Sequence, residues 1–181
     1  MAPSSVPLEG KAPVAISVSG DCSTSVPLAV LLTHGAGGDM NSGNLPAYAG
    51  AFSKSGIPCV RMNHPRNIPG GQKAMQAVMN FKGKGFPVTQ NWVLSGQSMG
   101  CRIAAEVAHA EASTVKGLLF FSYPLHPPGK LDQLRDVPLQ RLKQPILFVR
   151  GTRDTFSEAE QFEALLPTIP SDSVKVHTVE G

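Results

Sequence analysis

Short uninterrupted apolar runs alternate along this chain with longer stretches whose apolar positions return every three or four residues. The short runs predict strands at residues 14–18, 28–33, 58–62, 92–95, 117–122, 146–150 and 174–179. The longer stretches predict helices at 45–54, 72–82, 99–110 and 157–166. Strand and helix therefore alternate, the order expected of a mostly parallel central sheet with helices on both faces. The runs at 28–33 and 117–122 are nearly continuous in apolar residues, as in central strands buried on both sides; strands of a sandwich would alternate apolar with polar positions. The segment from Pro124 to Gly129, with Pro138 beyond it, reads as a loop-rich excursion after the fifth strand.

Composition narrows the picture. A chain of 181 residues that is 41% hydrophobic and 16% charged is long enough for one well-packed core and short for two, so a single domain is expected over 1–181. The net charge of +3 comes from scattered side chains, the densest being Arg61, Arg66, Lys73, Lys82 and Lys84, and no basic run or face points to nucleic acid. Cys22, Cys59 and Cys101 are odd in number and lack metal-ligand spacing, which argues for free thiols, with no disulfide framework, no metal site and no cofactor. Neither a secretory leader nor a membrane-length apolar run is recognised, so an intracellular location, cytoplasmic or nuclear, and no membrane partner are expected.

Candidate chemistry concentrates at strand ends. The predicted strand at 92–95 runs at once into Gly96-Gln97-Ser98-Met99-Gly100 and a predicted helix, which is G-x-S-x-G in its strand-turn-helix context. Such a turn holds its serine in a strained conformation and pushes the hydroxyl out at the C-terminal edge of the sheet, with glycines where strand and helix approach closely. The expected class is the α/β-hydrolase fold, with Ser98 as nucleophile. A serine hydroxyl needs a base, the base an orienting carboxylate, and the developing oxyanion needs amide donors.

The donors are sought after the strand at 28–33, in the small-residue loop His34-Gly35-Ala36-Gly37-Gly38; the amides of Ala36 and Met99 are the oxyanion-hole candidates. The same loop opens like a dinucleotide fingerprint, but Met40 stands where its third glycine should be. His34 and Gly35 border the expected pocket, and His34 reads more readily as a packed, hydrogen-bonded side chain than as a catalytic one. Asp154, just past the strand at 146–150, is the candidate acid, and the order Ser98 then Asp154 fits the hydrolase order of serine, acid, histidine. His177 falls inside the last predicted strand, facing one side of the sheet, and His126 follows a strand end where it can line the pocket; neither is favoured as the base.

Three separated motifs then carry a family resemblance. Leu31-Leu32-Thr33-His34-Gly35-Ala36-Gly37-Gly38-Asp39-Met40, Ser95-Gly96-Gln97-Ser98-Met99-Gly100 and Phe121-Ser122-Tyr123-Pro124-Leu125-His126 resemble the testis-expressed protein 30 family and the hydrolase-like domain of a subunit of the NSL histone-acetyltransferase complex. The resemblance spans about 29–181 and includes 142–149, Gly151 and Asp154. It implies a parallel hydrolase sheet with Ser98 as nucleophile and Asp154 as acid. It also implies a histidine a few residues after Val179-Glu180-Gly181, followed by a closing helix. The chain is accordingly expected to be C-terminally truncated relative to the family, with slow turnover and one face of its last strands uncovered. Two functions follow: a serine hydrolase acting on a small acyl ester, thioester or amide, or a non-catalytic scaffold of the same fold that binds a protein partner.

Overall fold

The computed structural model describes residues 4–180. Its elements are β1 (Ser5–Leu8), β2 (Lys11–Ser19), β3 (Ala29–Thr33), α1 (Leu45–Lys54), β4 (Cys59–Met62), α2 (Ile68–Asn80), β5 (Trp92–Gln97), α3 (Met99–Ala110), β6 (Val115–Phe121), β7 (Ile146–Gly151), α4 (Ala159–Leu165) and β8 (Val174–Val179). All eight strands form one sheet in the order β1-β2-β4-β3-β5-β6-β7-β8. β1 and β2 pair antiparallel and β2 meets β4 antiparallel, whereas every pairing from β4 through β8 is parallel. The α/β-hydrolase sheet expected from the apolar runs is thus present, with an antiparallel hairpin added at its leading edge.

Each predicted strand and helix is found; one helix starts earlier than predicted and one further strand precedes them all, each for a physical reason. α2 begins four residues before the predicted start, at Ile68, because Asn67 caps it by accepting the Gly70 N–H at 2.7 Å and Pro69 sits in its first turn. Gly71 serves packing: a Cβ there would clash with Cδ1 of Ile103, so the glycine lets α2 and α3 touch. β1, which precedes the first predicted strand, is a four-residue segment that buries only Val6 fully and pairs with β2.

Two apolar layers cover the sheet unequally. On one face Leu31, Val60, Leu94, Leu118, Phe120, Ile146 and Phe148 pack beneath α2, α3 and α4 in the larger core. Phe162 of α4 meets Phe148 edge-on at 5.2 Å, and the Arg150 guanidinium lies 4.8 Å from the Phe162 ring. On the other face α1 alone covers Val30, Leu32 and Cys59 through Leu45, Ala49 and Tyr48. Tyr48 stacks on Phe121 at 4.2 Å, and α1 reaches no further. Among the described residues no helix is long and apolar enough to cross a membrane.

Candidate active site

The end of β5 makes a turn that only this sequence pattern permits. Ser98 sits between β5 and α3 at φ 51°, ψ −114°, in the positive-φ region that L-residues rarely occupy. A Cβ on Gly96 would lie 2.2 Å from the Gly100 carbonyl carbon, and one on Gly100 would lie 2.7 Å from the His34 carbonyl oxygen. Glycine at both positions lets strand, helix and the loop after β3 converge on the serine. The Ser98 N–H donates to Phe121 O at 3.0 Å, and the Cys101 thiol donates to Gly96 O at 3.0 Å and Phe121 O at 3.3 Å, tying the turn to β6. Burial keeps the Cys101 thiol protonated, raising it well above its ordinary range.

The loop after β3 faces this serine. A Cβ on Gly35 would lie 3.4 Å from Cβ of Ser98 and 3.9 Å from its Oγ. The Gly38 N–H donates to Gly35 O at 3.2 Å, closing a turn over Ala36 and Gly37, and Asn63 Oδ1 accepts from Met40 N at 2.7 Å. Arg61 anchors the far end by donating to Met40 O and Asn41 Oδ1. Gly35, Ala36, Gly37, Gly38, Ser98 and Met99 line one cavity of about 560 Å³. Met99 is the first residue of α3, where the amide has no carbonyl from a preceding helical turn and the helix dipole favours negative charge.

His34 lies behind this loop, 2% exposed, and does not line the cavity. Its Nε2 accepts the His64 backbone N–H at 3.3 Å, so the neutral ring carries its proton on Nδ1 and donates to Gly35 O at 2.7 Å. The His64 ring stacks on it at 4.0 Å, and His64 Nε2 lies 2.9 Å from His34 O. Burial holds His34 below the ordinary imidazole range; its bond to Gly35 opposes that and the His64 charge adds to it. The histidine therefore braces the loop from behind as a neutral hydrogen-bonding group.

Asp154 follows β7. Its Oδ1 accepts the Phe156 N–H at 3.0 Å, while its Oδ2 is buried and has no hydrogen-bond partner. Asp154 and Ser98 line a second cavity of about 450 Å³ together with Ser122, Gly151, Arg153 and Phe156. Ser122 is the other non-glycine residue at positive φ, and its N–H donates to Val149 O at 2.8 Å where β6 ends beside β7. β8 runs parallel to β7 and Val179 O accepts the Thr152 N–H at 3.0 Å, so β8 ends at the same sheet edge as Asp154.

The remaining histidines stand apart. His126 is fully buried, with Nδ1 against Pro127 O at 2.9 Å and Nε2 unpartnered, and it lines neither cavity. His177 is exposed in β8, paired in register with Val149. Among the described residues no histidine lines the cavity between Ser98 and Asp154, and no group of three His, Cys, Asp or Glu side chains is placed to hold a metal ion. The structure adds residues that sequence reading passed over. Phe156 lines both cavities, and Arg102 and Arg135 line the larger one. Arg102 carried a signal, since it stands four residues after Ser98 on the same helix face; Arg135, in the loop-rich excursion, carried none.

Known proteins share this fold. A family model described as an alpha/beta hydrolase domain matches residues 27–181. Est1E from Butyrivibrio proteoclasticus, in a structure with ferulic acid bound, superposes with a TM-score of 0.79 at 15% identity, covering 98% of this chain and 89% of that one. Alpha/beta hydrolase domain-containing protein 10 from mouse gives 0.74 at 12% identity, over 98% and 89% of the two chains. Dienelactone hydrolase from Anabaena variabilis gives 0.73 at 16%, over 97% and 83%. At these identities the likeness is one of fold. With most of its length matched by the family model, this chain belongs to the alpha/beta hydrolase domain family.

Proposed function

We propose that the chain is a serine hydrolase acting on a small acyl ester, thioester or amide, with Ser98 as nucleophile, Asp154 as orienting acid and the amides of Ala36 and Met99 as the oxyanion hole. The observation that carries this reading is the cavity shared by Ser98, held at positive φ, and Asp154, whose buried Oδ2 lacks a partner. A buried carboxylate oxygen left unpaired is costly, and an imidazole N–H donated from within that cavity would satisfy it.

In this mechanism Ser98 Oγ attacks the acyl carbonyl and its proton passes to an imidazole seated between Ser98 and Asp154, the role that the family resemblance gives to a histidine. Asp154 accepts the other ring N–H and fixes the tautomer. The carbonyl oxygen becomes an oxyanion facing the two amides and the positive end of α3. Collapse expels the leaving group, which takes the proton from the imidazolium, and a water molecule activated by the same imidazole releases the acid and restores Ser98. A small-molecule acyl compound is the partner this requires.

A fluorophosphonate probe tests the proposal, because it reacts with an activated serine and ignores a structural one. With free imidazole supplied as the base, labelling of the chain, absent in Ser98→Ala, is the expected result. No labelling, or equal labelling of the variant, would set the hydrolase reading aside in favour of a scaffold that binds a protein partner.

A further inference from the structure

The larger cavity beside Ser98 is lined by two arginines and by no acidic residue. Its wall includes Arg102 and Arg135 with Pro124, Phe156 and the small residues of the loop after β3. Arg102 rises from α3 one turn beyond Ser98, half-buried, with a buried Nε that has no hydrogen-bond partner. Arg135 comes from the excursion after β6, and both its backbone groups are engaged: its N–H donates to Leu125 O at 2.7 Å and its carbonyl accepts from the buried Tyr123 hydroxyl at 2.7 Å. The excursion thus holds a cation opposite the serine's helix.

Two like charges at one cavity repel each other. Burial, and after it the Arg102 charge, hold the Arg135 guanidinium below its ordinary range. The charges of Glu106 and Asp136, like that of Arg102, act on Tyr123, and neither acidic residue lines the cavity. Asp154 lies on the other side of Ser98, in the smaller cavity. An unbalanced pair of guanidiniums at a partly dry wall matches an oxyanion, which each planar fork can bind with two parallel hydrogen bonds.

Which part of the substrate enters this cavity follows from the proton. The leaving group takes its proton from the base, and the base belongs with Asp154, so the leaving group departs through the smaller cavity. The acyl chain then occupies the larger one. We propose, resting on the hydrolase reading above, that the substrate's acyl chain ends in an anionic oxyacid group, a carboxylate or a phosphate, held between Arg102 and Arg135. These two residues would set specificity and take no part in bond breaking.

Titration calorimetry on the Ser98→Ala chain, which holds an ester without consuming it, tests this. Monomethyl glutarate presents a methyl ester at one end and a carboxylate at the other; dimethyl glutarate has lost the charge; methyl 4-phosphonobutyrate exchanges carboxylate for phosphonate. The expected result is that at least one charged ester binds at least about tenfold more tightly than dimethyl glutarate, the better of the two naming the oxyacid, with the preference weakening as salt is raised. Adding Arg102→Met or Arg135→Met should erase most of that preference, and Arg102→Lys, which keeps the charge and the long stem, should retain part of it. Equal binding of charged and neutral esters, no binding of any, or a preference that survives both methionine variants would overturn the inference. Fluorophosphonate labelling of the chain with Ser98 intact, in the presence of free imidazole, keeps the two readings separate. Labelling without the preference leaves a hydrolase and removes the anion site, whereas the preference without labelling leaves an anion site in a protein that is no hydrolase.

Discussion

Leu32 and Leu147 occupy one row of the sheet, linked in register through Ser95 and Leu119, and point to the same face. Leu32 is fully buried under α1; Leu147 is 38% exposed. The row continues to exposed Lys175, and Val179, also on this face, is 46% exposed. The inner strands are packed on both sides, β7 on one, and β8, with Val176 in register with Phe148 yet exposed, is packed fully on neither. The candidate site straddles this divide: Ser98 stands where backbones meet so closely that no Cβ fits, and Asp154 stands where the strands are covered on a single face. Serine geometry is therefore dictated by packing, whereas the Asp154 carboxylate keeps a buried oxygen without a partner.

The sharpest way to break the comparison is at Gly96. Gly96→Ala sets a Cβ against the Gly100 backbone and should cost several kcal/mol, enough to deplete folded protein, whereas Gly37→Ala meets nothing within 4 Å and should be nearly neutral. Denaturation midpoints and soluble yield separate the two. Next in size, Leu32→Ala should cost about 2–5 kcal/mol and Leu147→Ala about 1 kcal/mol or less, read by urea unfolding. Equal costs would mean that the outer half is packed as well as the inner.

Acid should act through the inner half. His34 has a folded-state pKa depressed chiefly by burial, so the unfolded chain binds its proton more readily than the folded one. Its contribution to stability is complete above the unfolded imidazole value of about 6.5 and is lost progressively as pH falls below it. His34→Asn should flatten the unfolding-midpoint profile across that window. The smallest expected effect is in thiol chemistry: Cys22, part-exposed, should react with a maleimide in the folded chain, while Cys59, pushed up to about 12 by burial, and buried Cys101 should not.

Much of this arrangement was legible in the sequence because it depends on local pattern. Buried parallel strands read as continuous apolar runs, and a glycine two residues either side of Ser98 announces the tight turn. What sequence left hidden was tertiary. Gly71 lies before the predicted helix start and proved to be the point where α2 meets Ile103. His64, which braces His34 across two strand ends, has no sequence periodicity to mark it. Arg135 reaches the cavity only because the excursion's backbone is pinned to Leu125 and Tyr123. Asp154 could be named from its strand end, but its unpartnered Oδ2 belongs to the folded chain alone.

The central claim is that Ser98 and Asp154 face one cavity built to hold an imidazole between them. Free imidazole, added while a fluorophosphonate labels Ser98, tests it directly. The account predicts a saturable acceleration of at least about tenfold, lost in Asp154→Asn and with all label on Ser98. A labelling rate indifferent to imidazole, or an acceleration untouched by Asp154→Asn, would contradict it.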